Sequence, residues 1–85
     1  MKVKIYDTHV STKDAYYHFD VVVLEKTQEE VEAYAKAYLE EIGVEFTSIV
    51  QNRCLFCHEE MADKMVIESI GKHGYYIIPM QGCPK

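Results

Sequence analysis

No run or stripe of basic residues occurs in this 85-residue chain: nine Lys and Arg are scattered from Lys2 to Lys85 against 14 acids, for a formal net charge of −5. Phosphate-backbone recognition needs clustered positive charge, so nucleic-acid binding has no electrostatic footprint. No apolar stretch is long enough to span a bilayer, and the amino-terminal residues Met1 to Tyr6 run directly into an alternating strand pattern rather than an apolar leader. The expected location is therefore the cytoplasm, with no membrane partner. There are no internal repeats, linkers or low-complexity segments, and 85 residues leave no room for a second core, so residues 1–85 read as one domain. A glycine-rich phosphate loop, a serine or lysine nucleophile context and a paired-carboxylate motif are also missing. An enzyme is accordingly not the expectation.

The composition is that of a folded globular chain, with 48% apolar, 12% aromatic and 27% charged residues. Hydrophobic periodicity reads as strand, strand, helix, strand, helix, strand. Residues 2–10 and 18–24 are β-rich, and the Lys13-Asp14 pair between them predicts a hairpin. Thr27 and Glu30 form a capping box opening a helix whose stripe is Val31, Tyr34, Ala35, Tyr38, Leu39 and Ile42, and Gly43 is placed to end it. Residues 44–52 predict a third strand and residues 60–72 a second helix, by the spacing of Ala62, Val66, Ile67 and Ile70, with Gly74 beyond its end. Residues 75–80 predict a fourth strand, and Pro79 marks it as an edge or strand end. The expected fold is a two-layer α/β (α+β) domain: a four-stranded mixed sheet with both helices on one face. If strands three and four are joined by a right-handed parallel crossover, both finish at the same rim.

That expectation gives the cysteines their interest. Cys54-Leu55-Phe56-Cys57-His58 follows the third strand and Cys83 follows the fourth, so the topology would bring them together. Three thiols and an imidazole are a donor set for tetrahedral zinc, with two thiols at the Cys-x-x-Cys spacing that lets one turn hold both on one ion. The predicted metal site is Cys54, Cys57, His58 and Cys83, structural in kind, with His9, His18, His73 or water as replacements for His58. Three competing readings stand beside it. In the first, the cysteines are simple buried apolar residues of an interaction or accessory domain. They fit a thiol–disulfide site, although Glu59 and Glu60 oppose thiolate formation. The string Cys-x-x-Cys-His also matches haem attachment, which needs export.

Asp7, His9, His18 and Asp20 flank the predicted turn. With His9 opposite His18, all four share one face as a metal or acid–base cluster. With the register slipped by one residue they divide between the faces, and Val3, Ile5, Phe19, Val21 and Val23 gather into what reads as the better core. The slipped register is the expectation, with the hairpin turn at the rim opposite the cysteines. Most of the seven tyrosines should pack against the sheet, and exposed Tyr16 and Tyr17 would mark a partner surface. An exposed strand edge would also suit a homodimer.

Tyr6-Asp7-Thr8, His18-Phe19-Asp20-Val21, Cys54 to His58, and Gly74-Tyr75-Tyr76-Ile77 leading to Met80-Gln81-Gly82-Cys83 together resemble a family of small bacterial proteins, domain of unknown function two-thousand-twenty-four. The resemblance spans nearly the whole chain. It implies a single α/β domain of bacterial cytoplasm and carries over no activity. Lys13-Asp14-Ala15 departs from the more glycine-like turn of that pattern and leaves the hairpin register open.

Overall fold

The computed structural model describes residues 3–24, 26–53 and 64–83. In chain order the elements are β1 (Lys4–Ser11), β2 (Tyr16–Val23), α1 (Gln28–Glu41), β3 (Ser48–Arg53), α2 (Lys64–His73) and β4 (Tyr76–Gln81). The fold is α+β in the expected element order, built on one four-stranded sheet ordered β3-β1-β2-β4.

Every strand pairing in that sheet is antiparallel, which corrects the mixed sheet expected from the β3–α2–β4 order. The β1–β2 hairpin takes the centre; β3 adds outside β1 and β4 outside β2. The parallel crossover belongs instead to β2–α1–β3, whose strands both run against β1 and so run the same way with β1 between them. The β3–α2–β4 link passes across the hairpin to the opposite edge and is not a parallel unit. As a result β3 ends at Arg53 beside Tyr6, toward the open end of the hairpin, whereas β4 ends at Gln81 beside His18, near its turn. The two strand ends lie at opposite rims.

The loop between β1 and β2 sets the register. Ser11 pairs with Tyr16 across the four residues Thr12 to Ala15, so His9 pairs with His18 and Asp7 with Asp20. Thr12 holds this loop: its hydroxyl accepts from the Ala15 N–H at 2.8 Å and the Asp14 N–H at 3.2 Å, and its own N–H donates to the Ala15 carbonyl at 2.8 Å. The slipped register is not adopted. Instead Tyr6 and Val10 of β1 join Phe19, Val21 and Val23 of β2 on one face, and all five are buried. Thr8, fully buried among them, explains how a polar residue enters this core. Its hydroxyl donates to the Tyr6 carbonyl at 3.2 Å and accepts from Gln51 Nε2 at 3.1 Å, so the Thr8 hydroxyl is satisfied as both donor and acceptor.

Helix α1 covers that face with Val31, Ala35 and Leu39, all buried, while Tyr34, Tyr38 and Ile42 pack at the margin. Its ends are built as the sequence indicates. Thr27 Oγ1 accepts from the Glu30 N–H and Glu30 Oε1 accepts from the Thr27 N–H, both at 3.2 Å. At the other end the Val44 N–H reaches the Leu39 carbonyl at 2.8 Å and the Gly43 N–H the Glu40 carbonyl at 3.1 Å, a Schellman motif that needs the positive φ of 76° at Gly43. Helix α2 packs along β4 and buries none of its described residues. Ser69 Oγ donates to the Tyr75 carbonyl at 2.8 Å, and Gly74 turns the chain into β4 at φ 88°. Pro79 lies on an edge strand as expected, next to an irregularity in the ladder opposite His18 and Phe19. None of the described helices is long and apolar enough to cross a membrane.

Candidate functional site

Side chains alternate along a strand, so a core built from Tyr6, Thr8 and Val10 sends Asp7 and His9 to the other face of the sheet. The same alternation on β2 sends His18 and Asp20 there, opposite His9 and Asp7. Two aspartates and two histidines therefore meet as neighbouring cross-strand pairs on the face away from α1.

Their contacts are close. His18 Nε2 lies 3.0 Å from Asp7 Oδ1. The His9 and His18 rings stack with centroids 4.3 Å apart and planes 13° from parallel. Tyr16 extends the stack, its ring 5.9 Å from His9, and its hydroxyl hydrogen-bonds His9 Nδ1. Asp7, His9 and His18 are half-buried, whereas Asp20 is 6% exposed and its Oδ1 is buried without a hydrogen-bond partner.

This environment separates the two carboxyls. Burial, followed by the hydrogen bond and negative charge of Asp7, pushes Asp20 up to about 7, with the His18 charge acting in the opposite sense. The hydrogen bond from His18, then the one with Asp20, holds Asp7 below the ordinary carboxylate range. Near neutral pH one carboxyl of the pair is a committed anion and the other sits close to its midpoint.

One ligand atom from each of Asp7, His9 and His18 falls within 4.8 Å of the others, so this group could hold a metal ion. The His18–Asp7 separation of 3.0 Å already matches two adjacent donors about 2.1 Å from one octahedral ion, which stand about 3.0 Å apart. Two nearly parallel rings point their lone pairs the same way rather than at one point. Coordination by His9 therefore requires the histidine stack to open.

The residues predicted from the cysteine pattern are placed differently. Cys54, Cys57 and His58 lie outside the described residues. Cys83 is half-buried at the end of β4, its Sγ 3.6 Å from the His18 and Gln81 carbonyls, and it packs against the core on the α1 side. Because β3 and β4 end at opposite rims, the strand topology supplies no reason for Cys83 to meet the loop after β3. Cys83 is also at the hairpin-turn rim, not away from it. Of the alternative ligands, His9 and His18 are in the histidine–aspartate cluster and His73 is on α2, beside Tyr75. Tyr16 is the cluster member that sequence reasoning did not associate with the histidines. The signal available for it was Thr12, whose capacity to close a four-residue turn pairs Tyr16 with Ser11, two positions from His9.

No curated protein matches the chain. Among solved structures it is similar to protein NE1680 from Nitrosomonas europaea, determined by NMR as a structural genomics target, at 35% identity and a TM-score of 0.82, with 99% of this chain and all of that one covered. Residues 1–80 match the family model described as Domain of unknown function (DUF2024), and the chain belongs to that family.

Proposed function

We propose that this domain holds a divalent transition-metal ion on the sheet face away from α1, with Asp7, His9 and His18 as the protein ligands. The observation that carries the reading is the convergence of the three donors within 4.8 Å. Two imidazoles and one carboxylate suit zinc and its first-row neighbours, and three protein donors leave coordination positions for water or a ligand. Such a site differs in kind from the closed thiolate site that the cysteine pattern suggests.

The neighbouring groups support the same role. A metal-bound imidazole is held by a partner on its other nitrogen. Tyr16 is that partner for His9: with Nδ1–H donating to the phenol oxygen, Nε2 carries the lone pair. At His18 an ion would replace the proton now shared between Nε2 and Asp7 Oδ1. Asp20, the cross-strand neighbour of Asp7, sits near its midpoint at neutral pH and would ionise in favour of a cation held beside it.

Elemental analysis of the purified protein, with calorimetric titration of zinc, cobalt and nickel, tests the reading. One ion per chain is expected in the wild type and in a variant with Cys54, Cys57 and Cys83 replaced by alanine. Loss of the ion in that variant, with retention in His9→Ala/His18→Ala, would transfer the site to the thiols and refute the assignment.

A further inference from the structure

A second cavity lies on the other side of the molecule, between the end of α1, the last turn of α2 and the start of β4. It has a volume of about 260 Å³ and is lined by Tyr38, Glu41, Ser69, His73, Tyr75, Tyr76 and Ile77. Two phenols on the α1 side, Tyr38 and Tyr75, line it with the Glu41 carboxylate and the His73 imidazole, and among the described residues no lysine or arginine does.

The rings are fixed from outside the cavity. Tyr38 is held edge-on by core residue Phe19, with centroids 4.8 Å apart and planes at 63°. Tyr75 is stacked on Tyr34 at 4.7 Å and 26°, and its backbone is tied to α2 by Ser69. Rings whose orientation is already set lose little freedom when a ligand enters. Glu41 makes no ion pair among the described residues. Its carboxylate acts on two of the phenols: burial first, with Glu41 adding to it, raises Tyr75, and burial, then Cys83, then Glu41 push Tyr38 up to about 12. Among the described residues, Glu41 is thus the one carboxylate on a wall that also carries the two phenols.

We infer that this cavity binds the head group of an organic cation, an alkylammonium with or without methyl groups, against the rings of Tyr38 and Tyr75 with Glu41 as counter-charge. Aromatic faces attract cations through their quadrupole, most strongly where water is partly excluded. The volume suits one such head group and is too small for a nucleotide. This site is independent of the metal reading and lies on the α1 side of the sheet.

The test is an NMR titration following the ring resonances of Tyr38 and Tyr75. Choline is the probe, and 3,3-dimethylbutan-1-ol is its uncharged isostere. Saturable shifts at these two rings are expected with choline in the range of about 1–10 mM, with at least about five-fold weaker response to the isostere. Glu41→Gln should weaken choline about three- to ten-fold. Glu41 is exposed on the last turn of α1, where an acid opposes the helix dipole, so its neutralisation leaves folding intact. A peptide carrying trimethyl-lysine distinguishes the source of the cation: tighter binding than choline indicates a modified polypeptide, and equal or weaker binding a free amine. Absence of choline shifts at these rings, equal response to the isostere, or an unchanged affinity in Glu41→Gln would overturn the assignment.

Discussion

Asp7 and Asp20 stand directly opposite each other across the β1–β2 ladder, and the sheet moves their titrations in opposite directions. Placing two like charges as cross-strand neighbours is unfavourable. The fold resolves this by giving Asp7 to His18 and leaving Asp20 buried, where the neutral acid is the stable form.

The consequence for stability has a definite sign. Asp20 rises from an ordinary 3.8 to about 7 on folding, so its neutral form contributes stability that is complete below about pH 4 and is lost as pH rises through about 7. Asp7, lowered from 3.8, contributes above that value and loses its contribution as pH falls through its depressed folded value in strong acid. Urea melts from pH 4 to pH 8 should show wild-type stability declining across the window. Asp20→Asn should flatten the decline and be more stable than wild type at pH 8 by about 1–3 kcal/mol. Parallel curves for the two proteins would contradict the assignment to Asp20.

Metal binding should compete with the proton shared by Asp7 and His18. Affinity is expected to fall steadily as pH drops from 7.5 to 5.5, with protons released on binding. His18→Ala should weaken the ion at least about 100-fold, more than a supporting residue does. Tyr16→Phe, which removes the hydroxyl but keeps the ring, should cost about ten-fold or more. Calorimetry in two buffers of different ionisation enthalpy checks both the proton count and the affinities.

Two glycines with nearly the same φ should respond differently to alanine. Gly43 at 76° has nothing within 4 Å of an added Cβ, so Gly43→Ala costs only the left-handed conformation, about 1 kcal/mol. At Gly82, φ 77°, the same atom would stand 2.6 Å from the Tyr16 carbonyl oxygen and 3.2 Å from the Tyr17 ring. Gly82→Ala must shift backbone as well, and thermal melts should place its cost about 1–3 kcal/mol above that of Gly43→Ala.

The capping box offers a smaller, local effect. Thr27→Ala removes the acceptor for the Glu30 N–H and should cost about 1 kcal/mol. Thr27→Ser keeps that acceptor and should recover most of the loss. Hydrogen exchange confined to the first turn of α1 would show the change to be local.

Helix α1 was readable in full because its signals are local: a cap, a stripe and a glycine lie within 17 residues of one another. Strand identities were readable by alternation and turn residues. Their partners were not, because nothing within Ser48–Arg53 states that it joins β1 rather than lying beside β4. What failed at that step is the parallel pairing of β3 with β4, which the central hairpin pre-empts and on which the expectation of converging cysteines rested. The histidine–aspartate cluster was within reach, but hydrophobicity favoured the wrong register. Counting apolar residues rewards Val3 and Ile5. It does not credit Thr8, a polar residue that enters the core because Gln51 and the Tyr6 carbonyl satisfy it. Tyr6 and Val10 then outweigh the alternative, and the polar set falls together on the outer face.

The length of the Thr12–Ala15 turn has a genealogical consequence. Adding or deleting one residue there would exchange the wet and dry sides of β1 against β2, disturbing the core and dispersing the histidines at once. Substitution within the turn is a mild event by comparison. In any descendant or cousin of this chain, residue spacing between Ser11 and Tyr16 is thus a stricter passport for the imidazole–carboxylate grouping than the chemical identity of the residues in between.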